Sequence, residues 1–126
     1  MLQVEFKGFP HLRTDRLYLR QLSLNDVKEL YALRSDERVM NAIGKPLSTL
    51  EEVKELIGRM QDDFNAGNGI TWAMALEENG PLIGTIGLWR IIKPHYRAEI
   101  GYMLHPDHHH KGLMKEAMKP VLDFGF

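Results

Sequence analysis

The segment Asp107-His108-His109-His110-Lys111-Gly112 sets polar side chains, a cation and one glycine directly before an apolar-periodic run. From Leu113 onward, Met114, Ala117, Met118, Val121, Leu122 and Gly125 recur at helical spacing. The loop therefore sits at a helix N-terminus, where backbone N–H groups lack intrahelical partners. Those donors and the helix dipole attract an anion, and phosphate fits them. Lys111 can pair with such a phosphate or stay solvated. The three consecutive histidines raise metal ligation as a second chemistry. Neighbouring imidazoles do not converge easily on one ion, and no carboxylate or cysteine spacing of a metal site accompanies them. No physiological metal is expected.

The elements that must position this loop follow from periodicity. Ala98, Ile100, Tyr102 and Leu104 alternate with Arg97, Glu99, Gly101 and Met103 as a strand requires, which makes Tyr102 a packing residue. Pro106 then forces His105 out of helical geometry and ends the run. Near the N-terminus, residues 13–21 alternate as one edge strand. Ser23 and Asp26 carry a capping signal for a helix reaching about Ser35, with Val27, Leu30, Tyr31 and Leu33 on its inner side. Residues 37–46 read as a connecting loop. Thr49-x-x-Glu52 is a fuller capping box, and Val53, Leu56, Ile57, Met60 and Phe64 follow at helical spacing up to about Ala66. Residues 70–76 and 82–92 read as strands joined through the hairpin signal Asn79-Gly80. Trp72, Trp89 and Tyr96 read as core or rim. Pro120 removes one donor from the last helix. The order β-α-α-β-β-β-α makes an α+β fold with a mixed, mainly antiparallel central sheet and flanking helices.

Three stretches carry a family resemblance. Residues 11–40, with the Leu12-Arg13-Thr14 and Arg16-Leu17-Tyr18-Leu19-Arg20 patterns, residues 80–87 (GPLIGTIG) and residues 98–104 (AEIGYML) together resemble the GCN5-related N-acetyltransferases. The branch they resemble most contains the ribosomal-protein-alanine N-acetyltransferases. The resemblance implies a single α/β-sandwich domain over residues 1–126 and transfer of an acetyl group from acetyl-coenzyme A to a primary amine, on a protein N-terminus or a small molecule. Transfer in the family is by direct attack through a tetrahedral intermediate. The family's cofactor loop follows Gln/Arg-x-x-Gly-x-Gly/Ala. Here Gly112 keeps the second glycine, while His110 stands for the first and Asp107 for the Gln/Arg. If the position of His110 needs a positive φ, a histidine holds it at some cost.

Carried over residue by residue, the resemblance assigns cofactor binding to Met103 and Leu104 on the strand and to His109, His110, Lys111, Gly112, Leu113 and Met114 on the loop and helix. It assigns acceptor binding to Met40 and Asn41, which otherwise read as loop residues, and the general base to Glu99. Glu99 reads equally as a structural carboxylate paired with Arg97 or Arg90. In the family a strand, a helix and two further strands follow the last helix here, so the resemblance implies a C-terminally truncated domain or one completed by a partner chain, for instance as a homodimer. The rival readings are a non-catalytic acyl-coenzyme A binding or sheet-completing subunit, and a generic phosphate binder.

Composition narrows the partners. A net charge of −1 with mixed signs gives no general attraction to nucleic acid or membrane. The absence of cysteine excludes disulfides, thiolate metal sites and a cysteine nucleophile. No run approaches the ~18 apolar residues of a membrane span, and residues 1–12 lack the pattern of a signal peptide, so a cytoplasmic protein is expected.

Overall fold

The computed structural model describes residues 9–91 and 97–125, with backbone alone at 90, 91, 97–99 and 125. Among the described residues, five strands form one antiparallel sheet in sequence order: β1 (Leu12–Arg13), β2 (Tyr18–Gln21), β3 (Gly69–Ala75), β4 (Gly84–Ile91) and β5 (Arg97–Leu104). The described α-helices flanking it are α1 (Val27–Arg34), α2 (Glu37–Ala42), α3 (Leu50–Asn65) and α4 (Leu113–Gly125). The α+β class expected from the sequence is the class observed.

Strand alternation divides the core in two. On one face, Leu17, Leu19, Trp72, Met74, Ile86 and Leu88 pack against Leu113, Ala117 and Val121 of α4. On the other, Ala73, Leu82 and Met103 pack against Leu30, Leu33, Val39, Met40, Val53 and Ile57 from the first three helices. Helix α3 forms where its capping box predicts. Thr49 Oγ1 accepts from the Glu52 N–H (3.2 Å), and Glu52 Oε1 accepts from the Thr49 N–H (2.9 Å). Trp72 is fully buried, and its indole N–H donates to the Pro10 carbonyl (2.8 Å).

Several sequence expectations need correction. Residues 13–21 are two short strands rather than one, because a turn at residues 14–17 folds β1 back onto β2. Thr14 closes that turn: its N–H donates to Leu17 O (2.9 Å), and its hydroxyl accepts from the Leu17 N–H (3.0 Å). Ser23 caps a 3-10 turn, Leu24–Asp26, that leads into α1, and Tyr31 on α1 faces solvent at 38% exposure. The stretch read as a loop after Ser35 contains α2, capped by Asp36, which accepts from the Arg38 N–H (2.8 Å). β3 and β4 do form a hairpin, but through a loop longer than two residues, in which Asn79 alone takes a positive φ, 58°. Tyr96 and Ile92 lie outside the described residues.

Asp26 joins local and long-range structure. Its carboxylate accepts from the Ser23 N–H (3.0 Å), completing a capping box, and receives both ends of the Arg20 guanidinium (2.9 and 2.7 Å). Arg20 in turn donates to Gly80 O (3.0 Å) on the β3–β4 loop. Asp26 is buried, so removing its carboxylate strands a guanidinium with little access to water. Asp26→Ala is expected to lower unfolding free energy by about 3 kcal/mol, read as a shifted urea midpoint. A change below about 1 kcal/mol would show that solvent replaces the carboxylate.

Candidate functional site

A cleft of 910 Å³ wraps the outer edge of β5, which pairs only with β4 among the described residues. One flank is the turn and helix start from His108 to Lys115. The other comes from α1, α2 and α3 through Arg34, Val39, Ala42, Ile43, Leu56 and Met60, and Lys45 follows α2. The floor is the sheet itself at Thr71, Thr85, Trp89, Gly101 and Met103.

The loop conformation follows from two left-handed residues. His110 has φ 63° and Gly112 has φ 74°, with Lys111 between them. Gly112 adopts this without a Cβ penalty, whereas His110 does not. The positive φ weighed from the sequence is therefore real, and a histidine occupies it. Helix α4 begins immediately afterwards, with the Gly112 carbonyl accepting from the Glu116 N–H (3.0 Å). Among the described residues, the backbone N–H groups from His110 to Lys115 have no hydrogen-bond acceptor, which leaves a cluster of donors at a positive helix end.

Helix α4 is held in this position from the far side of the sheet. Glu116 accepts from the Thr14 hydroxyl, from the Arg16 N–H (3.1 Å) and from Arg16 Nε (2.8 Å). Arg16 Nη1 also donates to Lys111 O (2.9 Å), so one arginine fixes both the helix and the loop before it. These bonds, with the Thr14 hydroxyl first, hold the Glu116 carboxyl below its ordinary range.

The β5 edge contributes main-chain groups. The His105 N–H donates to Ile83 O (2.8 Å), and with Gly84 opposite Leu104 this fixes which alternate residues face β4. Ile100, Tyr102 and Leu104 consequently turn their N–H and C=O groups outward, toward the cleft, whereas those of Met103 face β4 and its side chain joins the core. His109 donates its Nε2–H to the Leu104 carbonyl (2.8 Å), which anchors the loop to the strand end. Tyr102, read as packing, is 50% exposed and lines the cleft.

The remaining expected site residues are placed as follows. His109, His110, Gly112, Leu113, Met114, Met103 and Leu104 line the cleft; Lys111 is exposed and does not. Met40, on the inner side of α2, is fully buried in the core, and Asn41 is exposed off the cleft, while their neighbours Val39, Ala42 and Ile43 line it. The Glu99 backbone pairs with Trp89; its side chain lies outside the described residues. His108 was weighed from the sequence only as a metal ligand and was not among the expected site residues. It lines the cleft, its buried Nδ1 has no partner among the described residues, and burial with nearby Lys111 pushes its imidazole below the ordinary range. Trp89 was read only as core or rim. A Cβ placed on Gly69, Gly87 or Gly101 would approach the indole to 2.5, 2.9 or 2.6 Å, so the ring lies flat on a bed of three glycines from three strands. The adjacent histidine rings diverge, His109 and His110 at 85°, and no group of three or more metal-ligating side chains converges among the described residues.

A family model described as an acetyltransferase (GNAT) domain matches residues 16–126. The uncharacterized N-acetyltransferase YoaA of Bacillus subtilis (strain 168) is 35% identical over 121 residues, covering 94% of this chain and 67% of the relative. An acetyltransferase crystal structure from Agrobacterium tumefaciens str. C58 superposes with a TM-score of 0.78 at 25% identity, over 94% of this chain and 68% of that one. The spermidine N-acetyltransferase of Vibrio cholerae, in complex with CoA and spermine, shares the fold at a TM-score of 0.72 and 23% identity, over 90% of this chain and 65% of that one. The chain thus spans about two thirds of the length of the proteins it matches.

Two outcomes test this geometry. His110→Gly removes a left-handed Cβ and is expected to raise stability by about 1 kcal/mol in urea unfolding. A loss instead would mean that the imidazole contributes more than its backbone costs. Because the folded Glu116 pKa lies below the usual 4.5, its contribution is fully present above that pH and is lost as pH falls through the lowered value. Glu116→Gln should therefore flatten the acid side of the melting-temperature profile. An unchanged profile would assign the acid sensitivity to other carboxylates.

Proposed function

Because the chain belongs to the GNAT acetyltransferase family, we propose that it transfers an acetyl group from acetyl-coenzyme A to a primary amine, on a small molecule or a protein N-terminus. The observation that carries this reading is the cluster of N–H donors from His110 to Lys115 at the mouth of the cleft, beside an open strand edge. The donors suit a pyrophosphate, and His109, Leu113 and Met114 surround them. The outward N–H and C=O groups of Ile100 and Tyr102 and the Leu104 N–H suit an amide-bearing chain lying along β5 as an added strand would, with Met103 beneath; the Leu104 carbonyl is taken by His109.

Acetyl-coenzyme A would supply an activated acyl group; the chain's own residues hold it and prepare the amine. Glu99 is proposed as the general base that takes a proton from the acceptor ammonium, directly or through water, a contribution of roughly 10²–10⁴-fold. Met40 and Asn41 are proposed to shape the acceptor side through α2, whose residues Val39, Ala42 and Ile43 line the cleft. A ribosomal-protein N-terminus as acceptor is supported by the pattern over residues 11–40. A cytoplasmic location suits that acceptor, and no described helix is long and apolar enough to cross a membrane.

Calorimetric titration with acetyl-coenzyme A should show saturable binding, and Glu99→Gln should lower kcat about 10²-fold or more with that binding unchanged. Absence of binding by the folded protein would overturn the reading. Binding without turnover toward any amine would favour a non-catalytic acyl-coenzyme A module.

A further inference from the structure

Arg34, at the end of α1, lines the cleft on the flank opposite the helix α4 donors. Its Nε donates to the Ser48 hydroxyl (3.1 Å), which fixes the plane of the guanidinium, and the Arg34 carbonyl accepts from the Ser48 N–H (2.8 Å). Nη1 and Nη2 have no partner among the described residues, and Arg34 forms no salt bridge there. The carboxylate that acts electrostatically on Arg34, Glu52, bonds to the Thr49 N–H in the α3 capping box.

The surroundings make that free end unusual. Arg34 is partly buried, and burial together with nearby Arg59 pushes its pKa down, so the cation is held where positive charge is disfavoured. Lys45 lines the same flank, and no described carboxylate lines the cleft. A guanidinium whose two outer nitrogens are free, braced at Nε, offers the fork that a carboxylate accepts in bidentate fashion. The rest of that flank is apolar, from Val39, Ile43, Leu56 and Met60, with Trp89 on the floor.

We infer that, of the small-molecule and protein acceptors, the one this cleft selects is a small amine that also carries a carboxylate and an apolar side chain, with Arg34 binding the carboxylate. This inference rests on the acetyltransfer reading for the word acceptor, but the recognition itself is a property of Arg34 and its cleft. Positive charge on both flanks disfavours a polyamine, which would bring several cations and no anion.

The test uses matched probes that differ only in the carboxylate: L-phenylalanine and 2-phenylethylamine, with spermine as the polyamine. Binding of each is followed by calorimetry on the whole protein, with and without coenzyme A, and acetyl transfer is followed by thiol release. L-Phenylalanine is expected to bind at least about ten-fold more tightly than 2-phenylethylamine, the size of one charge-assisted hydrogen bond. Arg34→Gln should abolish that preference while leaving acetyl-coenzyme A binding and the melting temperature unchanged. Ser48→Ala, which frees Nε without removing charge, should weaken L-phenylalanine by a smaller factor. Equal binding of the two probes, or preference for spermine, would overturn the inference. So would an Arg34→Gln variant that loses acetyl-coenzyme A instead, since Arg34 would then contact a cofactor phosphate. If acetyl-coenzyme A does not bind but the Arg34-dependent preference persists, carboxylate recognition stands and the acetyltransfer reading fails.

Discussion

The carboxylate of Glu116 ties together parts of the fold that the sheet alone would leave independent. It sits one turn into α4 and takes bonds from Thr14 and Arg16 at the β1–β2 turn, at the opposite edge of the sheet from β5. The first turn of α4 is thereby pinned to the β1–β2 turn while its apolar positions pack on one sheet face. Arg16 extends the tie to the Lys111 carbonyl, so the loop with two left-handed residues is braced from outside as well as by its own geometry. The apolar contacts of Leu113, Ala117 and Val121 hold α4 on the sheet without fixing how it is rotated, whereas the ion pair is directional.

The cleft follows from this arrangement combined with a β5 edge that is unpaired among the described residues. Strand alternation alone decides that Ile100, Tyr102 and Leu104 offer main-chain groups to the cleft while Met103 offers a side chain to the core. A single ring nitrogen of His109, bonded to Leu104 O, then joins the strand end to the loop. Donors at the helix end, main-chain groups along the edge and a braced arginine on the far flank make three kinds of recognition in one continuous space. Each comes from a different element of the fold.

Much of this was legible in the sequence where local chemistry decides structure. The Thr49–Glu52 box set the start of α3, and the strain at His110 could be anticipated because a histidine stands where the family's loop has glycine. Legibility failed where distant residues decide. Nothing in Thr14-Asp15-Arg16 contains glycine or proline, and the turn that Thr14 closes onto Leu17 is also tied to Glu116, about a hundred residues away in the chain. Helix α2 is only six residues long, too short for its periodicity to register, and depends on its Asp36 cap and on burial of Val39 and Met40. Tyr102 kept the parity of a core residue, yet it is half exposed in the cleft. Parity predicts a face, and only tertiary packing says whether that face is covered. Arg34 gave no signal, since an arginine at a helix end is ordinary until its partners are known.

The glycine bed under Trp89 bears on how this chain can change. Gly69, Gly87 and Gly101 sit on three strands and are far apart in sequence, yet all three are constrained by one indole. None can acquire even a methyl group while the ring lies where it does; replacing the tryptophan by something smaller would open Gly101, whereas a Cβ on Gly69 would still crowd the Leu88 carbonyl (3.2 Å) and one on Gly87 the Thr71 hydroxyl (3.0 Å). The order of mutations therefore matters: the path that shrinks the ring first is passable at Gly101, and the path that fills a glycine first must distort the cleft floor. Four positions with no adjacency in the chain behave as one heritable unit.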